Sequence, residues 1–203
     1  MRLFSCYSFE TLSNCYLLGP ADGGDAVIVD PATFTVAALE TVERNHYYVR
    51  AVLLTHCDEG HIGGLQTLLR IYTEADVYAS VPRAGGIAAN VVAHGDELDV
   101  GELSVSVIAM PGMGSDCVAY RIGSILFTGT AFTAGETGTV RNPYAKGMLL
   151  RDIRERILTL PDETVLLPFG GPPSTIAVEK ITTPTDPPPE LAGVRGIVPE
   201  DEL

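Results

Sequence analysis

Two four-residue runs, Ala26-Val27-Ile28-Val29 and Ala51-Val52-Leu53-Leu54, carry no polar residue. Successive side chains of a strand point to opposite faces, so a strand that is apolar at every position must be covered on both. Val165-Leu166-Leu167 repeats the pattern late in the chain. Strands of this kind require helices packed outside sheets and exclude an open meander with one wet face. Each run ends on polar or turn-forming residues: Asp30-Pro31, Thr55-His56 and Pro168-Phe169-Gly170-Gly171.

The intervening segments fill in the architecture. Leu3 to Phe9 alternates, Thr11 to Asn14 turns, and Cys15 to Leu18 returns, so the chain opens as a three-stranded meander ending in the first apolar run. Val36, Leu39 and Val42 share a helical face, and Leu65 to Tyr72 reads as a second helix. Val77 to Ala79 is a short strand. Glu102 to Ala109 alternates Leu103, Val105 and Val107 with Ser104 and Ser106, as a half-buried strand does. Pro111 to Asp116 is a loop; Val118 to Arg121 and Ile125 to Thr128 flank a Gly123-Ser124 turn. Leu149, Ile153 and Ile157 predict a helix over Met148 to Leu158. Strands followed by helices between buried strands, twice over, predict an α/β fold with two central sheets and helices outside. One domain over residues 1–180 and a Pro-rich, acidic C-terminal tail over 181–203 are expected.

Composition narrows the partners. Thirteen Lys and Arg face 26 Asp and Glu, for a net charge of −13. That balance opposes nucleic-acid phosphates and anionic membrane faces, so neither is expected as a partner. No stretch approaches 18 apolar residues, and the first residues lack the apolar core and cleavage site of a signal peptide. A cytoplasmic protein is expected. Its four cysteines, Cys6, Cys15, Cys57 and Cys117, have no CxxC spacing and read as free thiols, although Cys6 and Cys15 could meet across a hairpin.

The segment after Leu54 carries the chemistry. His56, Asp58, Glu59 and His61 fall within six residues at the carboxyl end of a buried strand, followed by Gly63-Gly64. Clustered imidazoles and carboxylates on such a loop suit a metal or acid–base site. The plain alternative is a solvated loop, which holds more readily for any one residue than for all four.

Thr55 to Gly64 resembles the first metal motif of the metallo-β-lactamase superfamily, T-H-x-H-x-D-H-x-G-G. Asn14-Cys15-Tyr16-Leu17 with Val27 to Pro31 looks like that family's opening meander. Pro111-Gly112 with Val118-Ala119-Tyr120 sits where its P-G-H loop stands. Leu126-Phe127-Thr128-Gly129 looks like the strand before its bridging Asp. Leu166-Leu167-Pro168 with Gly171 to Ile176 resembles the L-P-G-H-G-P-x-T-T-I ending of small glyoxalase II-like hydrolases. The resemblance covers residues 3–180 in collinear order and implies the αββα sandwich.

In the family, five histidines and two aspartates hold two zinc or iron ions. By resemblance His56 and His61 are retained. Asp58 stands at the second histidine, Gly60 at the motif Asp, Met113 at the histidine of the P-G-H loop, Thr130 at the bridging Asp and Gly170 at the last histidine. Thioether, hydroxyl and glycine are poor replacements for imidazole and carboxylate. No cofactor is therefore expected, and the chain reads as a degenerate, non-catalytic member whose cleft serves a small molecule, a protein partner or a second copy of the chain. The alternative is a metal-dependent thioesterase with one zinc or iron ion on His56, Asp58 and His61, or with Glu59. A third possibility is a Cys57 or Cys117 nucleophile beside His56. His46 and His94 read as solvated, and Arg151, Arg154 and Arg156 as a charge-paired helix face. Tyr144 and Lys146 lie on a segment that could reach the cleft.

Overall fold

The computed structural model describes residues 1–183. In chain order the elements are β1 (Arg2–Ser8), β2 (Ser13–Gly19), β3 (Gly24–Val29), α1 (Val36–Arg44), β4 (Tyr47–Leu53), α2 (Glu59–Ile62), α3 (Leu65–Ile71), β5 (Asp76–Ala79), β6 (Arg83–Ala84), β7 (Ile87–Ala88), β8 (Asn90–Val91) and β9 (Glu97–Val100). There follow β10 (Leu103–Ala109), β11 (Val118–Ile122), β12 (Ile125–Gly129), β13 (Phe132–Thr133), β14 (Glu136–Thr137), α4 (Pro143–Asp152), a π-helical turn (Ile153–Ile157), β15 (Val165–Pro168), β16 (Ser174–Thr175) and α5 (Ile176–Thr182). Residues 184–203, most of the expected tail, lie outside the described residues.

Two six-stranded sheets form, in the orders β1-β2-β3-β4-β5-β8 and β16-β15-β12-β11-β10-β9. The apolar runs explain how they stack. Val27, Val29, Ala51 and Leu53 face the second sheet and pack with Val105, Val107, Val118, Tyr120, Phe127 and Leu167. The alternate residues Ala26, Ile28, Val52 and Leu54 face the other way, toward Val42 of α1 and Leu65 and Leu68 of α3. Leu126 and Leu166 likewise meet Leu149, Ile153, Ile157 and Ile176 on the far side of the second sheet. The fold is thus the αββα sandwich, and the apolar runs in β3 and β4 have both faces covered. Tyr120 and Phe127, at 0% and 1% exposure, fill the space between the sheets. Burying an aromatic side chain so completely contributes about 1.5–3 kcal/mol.

The sequence places most elements within a few residues, with informative differences. The helix expected from Met148 begins at Pro143, because the Asn142 side chain caps it by accepting from the Ala145 N–H at 2.8 Å and proline suits the first turn. From Ile153 the coil widens to a π-helical turn, yet Leu149, Ile153 and Ile157 all remain fully buried. β9 carries Glu97 and Asp99, which conceals it as a strand; it lies at the sheet edge, where charge is tolerated. Cys6 lies directly opposite Cys15 in the β1–β2 hairpin, and all four cysteines are free thiols. His46 and His94 are exposed, and Arg151 pairs with Glu155 at 3.1 Å on the helix surface. No helix among the described residues is long and apolar enough to cross a membrane.

Candidate functional site

The site sits where the carboxyl ends of β3 and β4 meet those of β10 and β12. Asp30, one residue past β3, has φ +50° and is 2% exposed. Its carboxylate accepts from the Thr55 N–H at 2.8 Å and the Thr55 hydroxyl at 2.6 Å. Burial pushes the Asp30 carboxyl up from its ordinary value, against the nearby His61 and the two Thr55 bonds. The Thr55 carbonyl in turn accepts from the Val118 N–H at 2.9 Å. The Tyr120 hydroxyl reaches the Leu54 carbonyl at 3.2 Å. Thr55 is therefore bound to both sheets, and His56 projects from a fixed point.

Asp58 caps α2. Its Oδ1 accepts from the His61 backbone N–H at 3.0 Å and from the His61 Nδ1–H at 2.6 Å, while Oδ2 lies 3.0 Å from His56 Nδ1. Burial raises the Asp58 carboxyl, but the His61 bonds outweigh it and the net displacement is downward. On its other side, His56 Nε2 is 3.3 Å from Asp116 Oδ1. The result is a continuous row, Asp116, His56, Asp58, His61, alternating acid and imidazole.

His61 is 1% exposed, and its Nε2 has no hydrogen-bond partner among the described residues. The Phe169 ring lies flat on the His61 ring, with centroids 3.7 Å apart and 19° between planes. A side chain on Gly60 would begin 3.1 Å from Asp58 Oδ1 and 3.9 Å from Phe169. The remaining candidate positions, Met113, Thr130 and Gly170, carry neither imidazole nor carboxylate. The Met113 thioether packs beside Gly138, where a Cβ would lie 2.7 Å from its sulfur. Gly138 is also held by the Ala131 carbonyl, next to Thr130. The Gly170 carbonyl accepts from the Thr133 hydroxyl at 2.9 Å, and the space in front of its Cα is open. Glu59 is exposed and takes no part in the row. The Lys146 ammonium binds the Thr137 hydroxyl and the Gly138 carbonyl, and Tyr144 is exposed.

Structure thus brings together His56, Asp58, Gly60 and His61, as their common loop implies. It adds Asp116, which the sequence does not single out, and it lays Phe169 over His61. Asp116 is the only acid in the Pro111–Asp116 loop and Phe169 the only large side chain between Pro168 and Gly170. Each was visible as a residue, but neither carried a spacing that tied it to His56 or His61.

The thiols are poor nucleophiles. Burial first, then the Asp116 carboxylate, pushes Cys57 up to about 11, and the same causes push Cys117 up to about 12. An ordinary thiol titrates near 8.5, so Cys57 at neutral pH holds roughly two orders of magnitude less thiolate. Iodoacetamide is expected to label Cys57 correspondingly slowly at pH 7, with the rate still rising at pH 10. A rate matching free cysteine at pH 7, read by peptide mass spectrometry, would remove this account of the site.

Residues 9–87 match the family model of the metallo-beta-lactamase superfamily. An uncharacterized protein of Mycobacterium tuberculosis is 31% identical, over 84% of this chain and 91% of its own. The hydroxyacylglutathione hydrolase of Yersinia enterocolitica is 34% identical over 82% of this chain, which spans only 64% of that relative's length. The crystal structure of ETHE1 from Myxococcus xanthus superposes with a TM-score of 0.80 at 30% identity, covering 91% of this chain and 84% of its own. With the two stacked sheets, the motif loop at their joined ends and these likenesses in agreement, the chain belongs to the metallo-β-lactamase superfamily.

Proposed function

We propose that this chain is a member of the superfamily that lacks the dinuclear metal centre and does not hydrolyse substrates through one, its cleft being kept for binding. The observation that carries the reading is the fate of His61. Its Nδ1 is taken by Asp58 at 2.6 Å and its ring is covered by Phe169 at 3.7 Å. The buried Nε2, which has no partner among the described residues, would suit an ion there. Around it, Gly60 and Gly170 offer no side chain and Thr130 only a hydroxyl. Catalytic zinc takes about three protein ligands, and a paired centre needs more, so the residues present do not fit two ions.

The hydroxyacylglutathione hydrolase relatives favour a second reading, a thioesterase with one ion on His56, Asp58 and His61. One donor atom from each of these lies within 4.8 Å of the others. The 2.6 Å between His61 Nδ1 and Asp58 Oδ1 opposes it, being a hydrogen-bond length. Two ligands at ordinary distances on one tetrahedral ion stand about 3.3 Å apart.

The test is elemental analysis of chelator-free protein together with hydrolysis of S-lactoylglutathione. At most one ion per chain and no turnover above that of a His56→Ala, His61→Ala double variant are expected. Two zinc or iron ions per chain, or turnover that the double variant loses, would sink the proposal.

A further inference from the structure

We infer that the cleft holds a single divalent cation of the zinc type on His56, Asp116 and Cys117, a donor set displaced from the superfamily's paired centre. The inference deepens the proposed function and rests on it, since two ions at the motif histidines would claim His56 differently.

Three observations converge. One donor atom from each of the three residues lies within 4.8 Å of the others. The 3.3 Å between His56 Nε2 and Asp116 Oδ1 matches the edge expected of a nitrogen and an oxygen on one tetrahedral ion, about 3.3 Å for bonds of about 2.0–2.1 Å. The donors also face a common space. A Cβ placed on Gly114 would lie 3.0 Å from Cys117 Sγ, 3.2 Å from Asp116 Oδ1 and 4.0 Å from His56 Nε2. Gly114 therefore leaves room where three donors converge, and any side chain there would crowd them.

Asp58 also holds the His56 ring: its Oδ2 lies 3.0 Å from His56 Nδ1, and its backbone N–H donates to that nitrogen at 3.3 Å, leaving Nε2 toward Asp116.

Imidazole, carboxylate and thiolate together suit zinc better than magnesium or calcium, which prefer oxygen alone. Binding converts the Cys117 thiol to a metal-bound thiolate and releases its proton to water. Three protein donors leave a fourth position for water or a small ligand.

Cobalt(II) is the probe, titrated into metal-free full-length protein and followed by absorbance. Expected is one equivalent bound, with a sulfur-to-cobalt charge-transfer band and the intense visible bands of four-coordination, all displaced by one equivalent of zinc. C117S should abolish the charge-transfer band, whereas C57S should leave it. G114A, which changes no donor, should weaken binding at least about 10-fold by filling the space. Circular dichroism melts matching wild type establish that each variant is folded. No cobalt binding by the folded wild-type chain would overturn the inference while leaving the proposed function standing. Binding that survives C117S but is lost in H61A would overturn it in favour of the His56, Asp58, His61 group. Two bound ions would overturn both.

Discussion

A Gly112→Ala substitution is expected to destabilise the protein by about 3 kcal/mol or more and to lower its melting temperature by about 6–12 °C. The added Cβ would sit 2.1 Å from the backbone nitrogen of Leu149, 2.4 Å from its Cα and 2.5 Å from the carbonyl carbon of Met148. All three belong to the backbone of α4, which cannot swing aside as a side chain can. The loop would have to lift, and the Gly112 N–H would then leave the Asp152 carboxylate it meets at 2.8 Å. That bond is buried, so breaking it adds about 1–3 kcal/mol to the clash. Urea melts of the two proteins measure the difference. Stability within about 1 kcal/mol of wild type would mean that the approach of loop to helix is looser than described. Because Asp116 and Cys117 follow on the same loop, the variant should also lose the cobalt site.

Asp30→Ala is expected to cost about 2–4 kcal/mol. The substitution leaves the buried N–H and hydroxyl of Thr55 without their acceptors, each costing about 1–3 kcal/mol when orphaned. It also puts alanine at φ +50°, a left-handed conformation that Asp and Asn tolerate better. Asp30→Asn keeps one acceptor oxygen and the backbone tolerance, and should cost about half as much. The buried carboxyl has its pKa raised chiefly by desolvation, so the neutral amide also escapes part of that penalty. Equal stability losses for Ala and Asn in urea melts would show that the Thr55 bonds do not set the cost.

The sequence foretells the fold well where its signal is local. Ala26 to Val29 and Ala51 to Leu54 are apolar at every position, and both faces of each strand are indeed covered. The Thr55–Gly64 loop is contiguous, so its two histidines and Asp58 could be read as one cluster before any fold was known. Asp116 could not. It comes to His56 across about sixty residues, through a meeting of two sheets that no spacing encodes. Phe169 on His61 is a longer-range case, and its flat stacking depends on the ring angle rather than on residue type. The π-helical turn is silent for another reason: Leu149, Ile153 and Ile157 keep the same spacing in either coil.

The two sheets are drawn from separate stretches of chain, one from residues 2–91 and the other from 97–175. On a ribosome the first sheet is complete before most of the second has been made. Until then Tyr16, Leu18, Val27, Val29, Ala51 and Leu53 present an uncovered apolar surface. Parallel pairings such as β3 with β4 close slowly, which lengthens that exposure. A truncation near residue 95 should therefore yield an insoluble fragment.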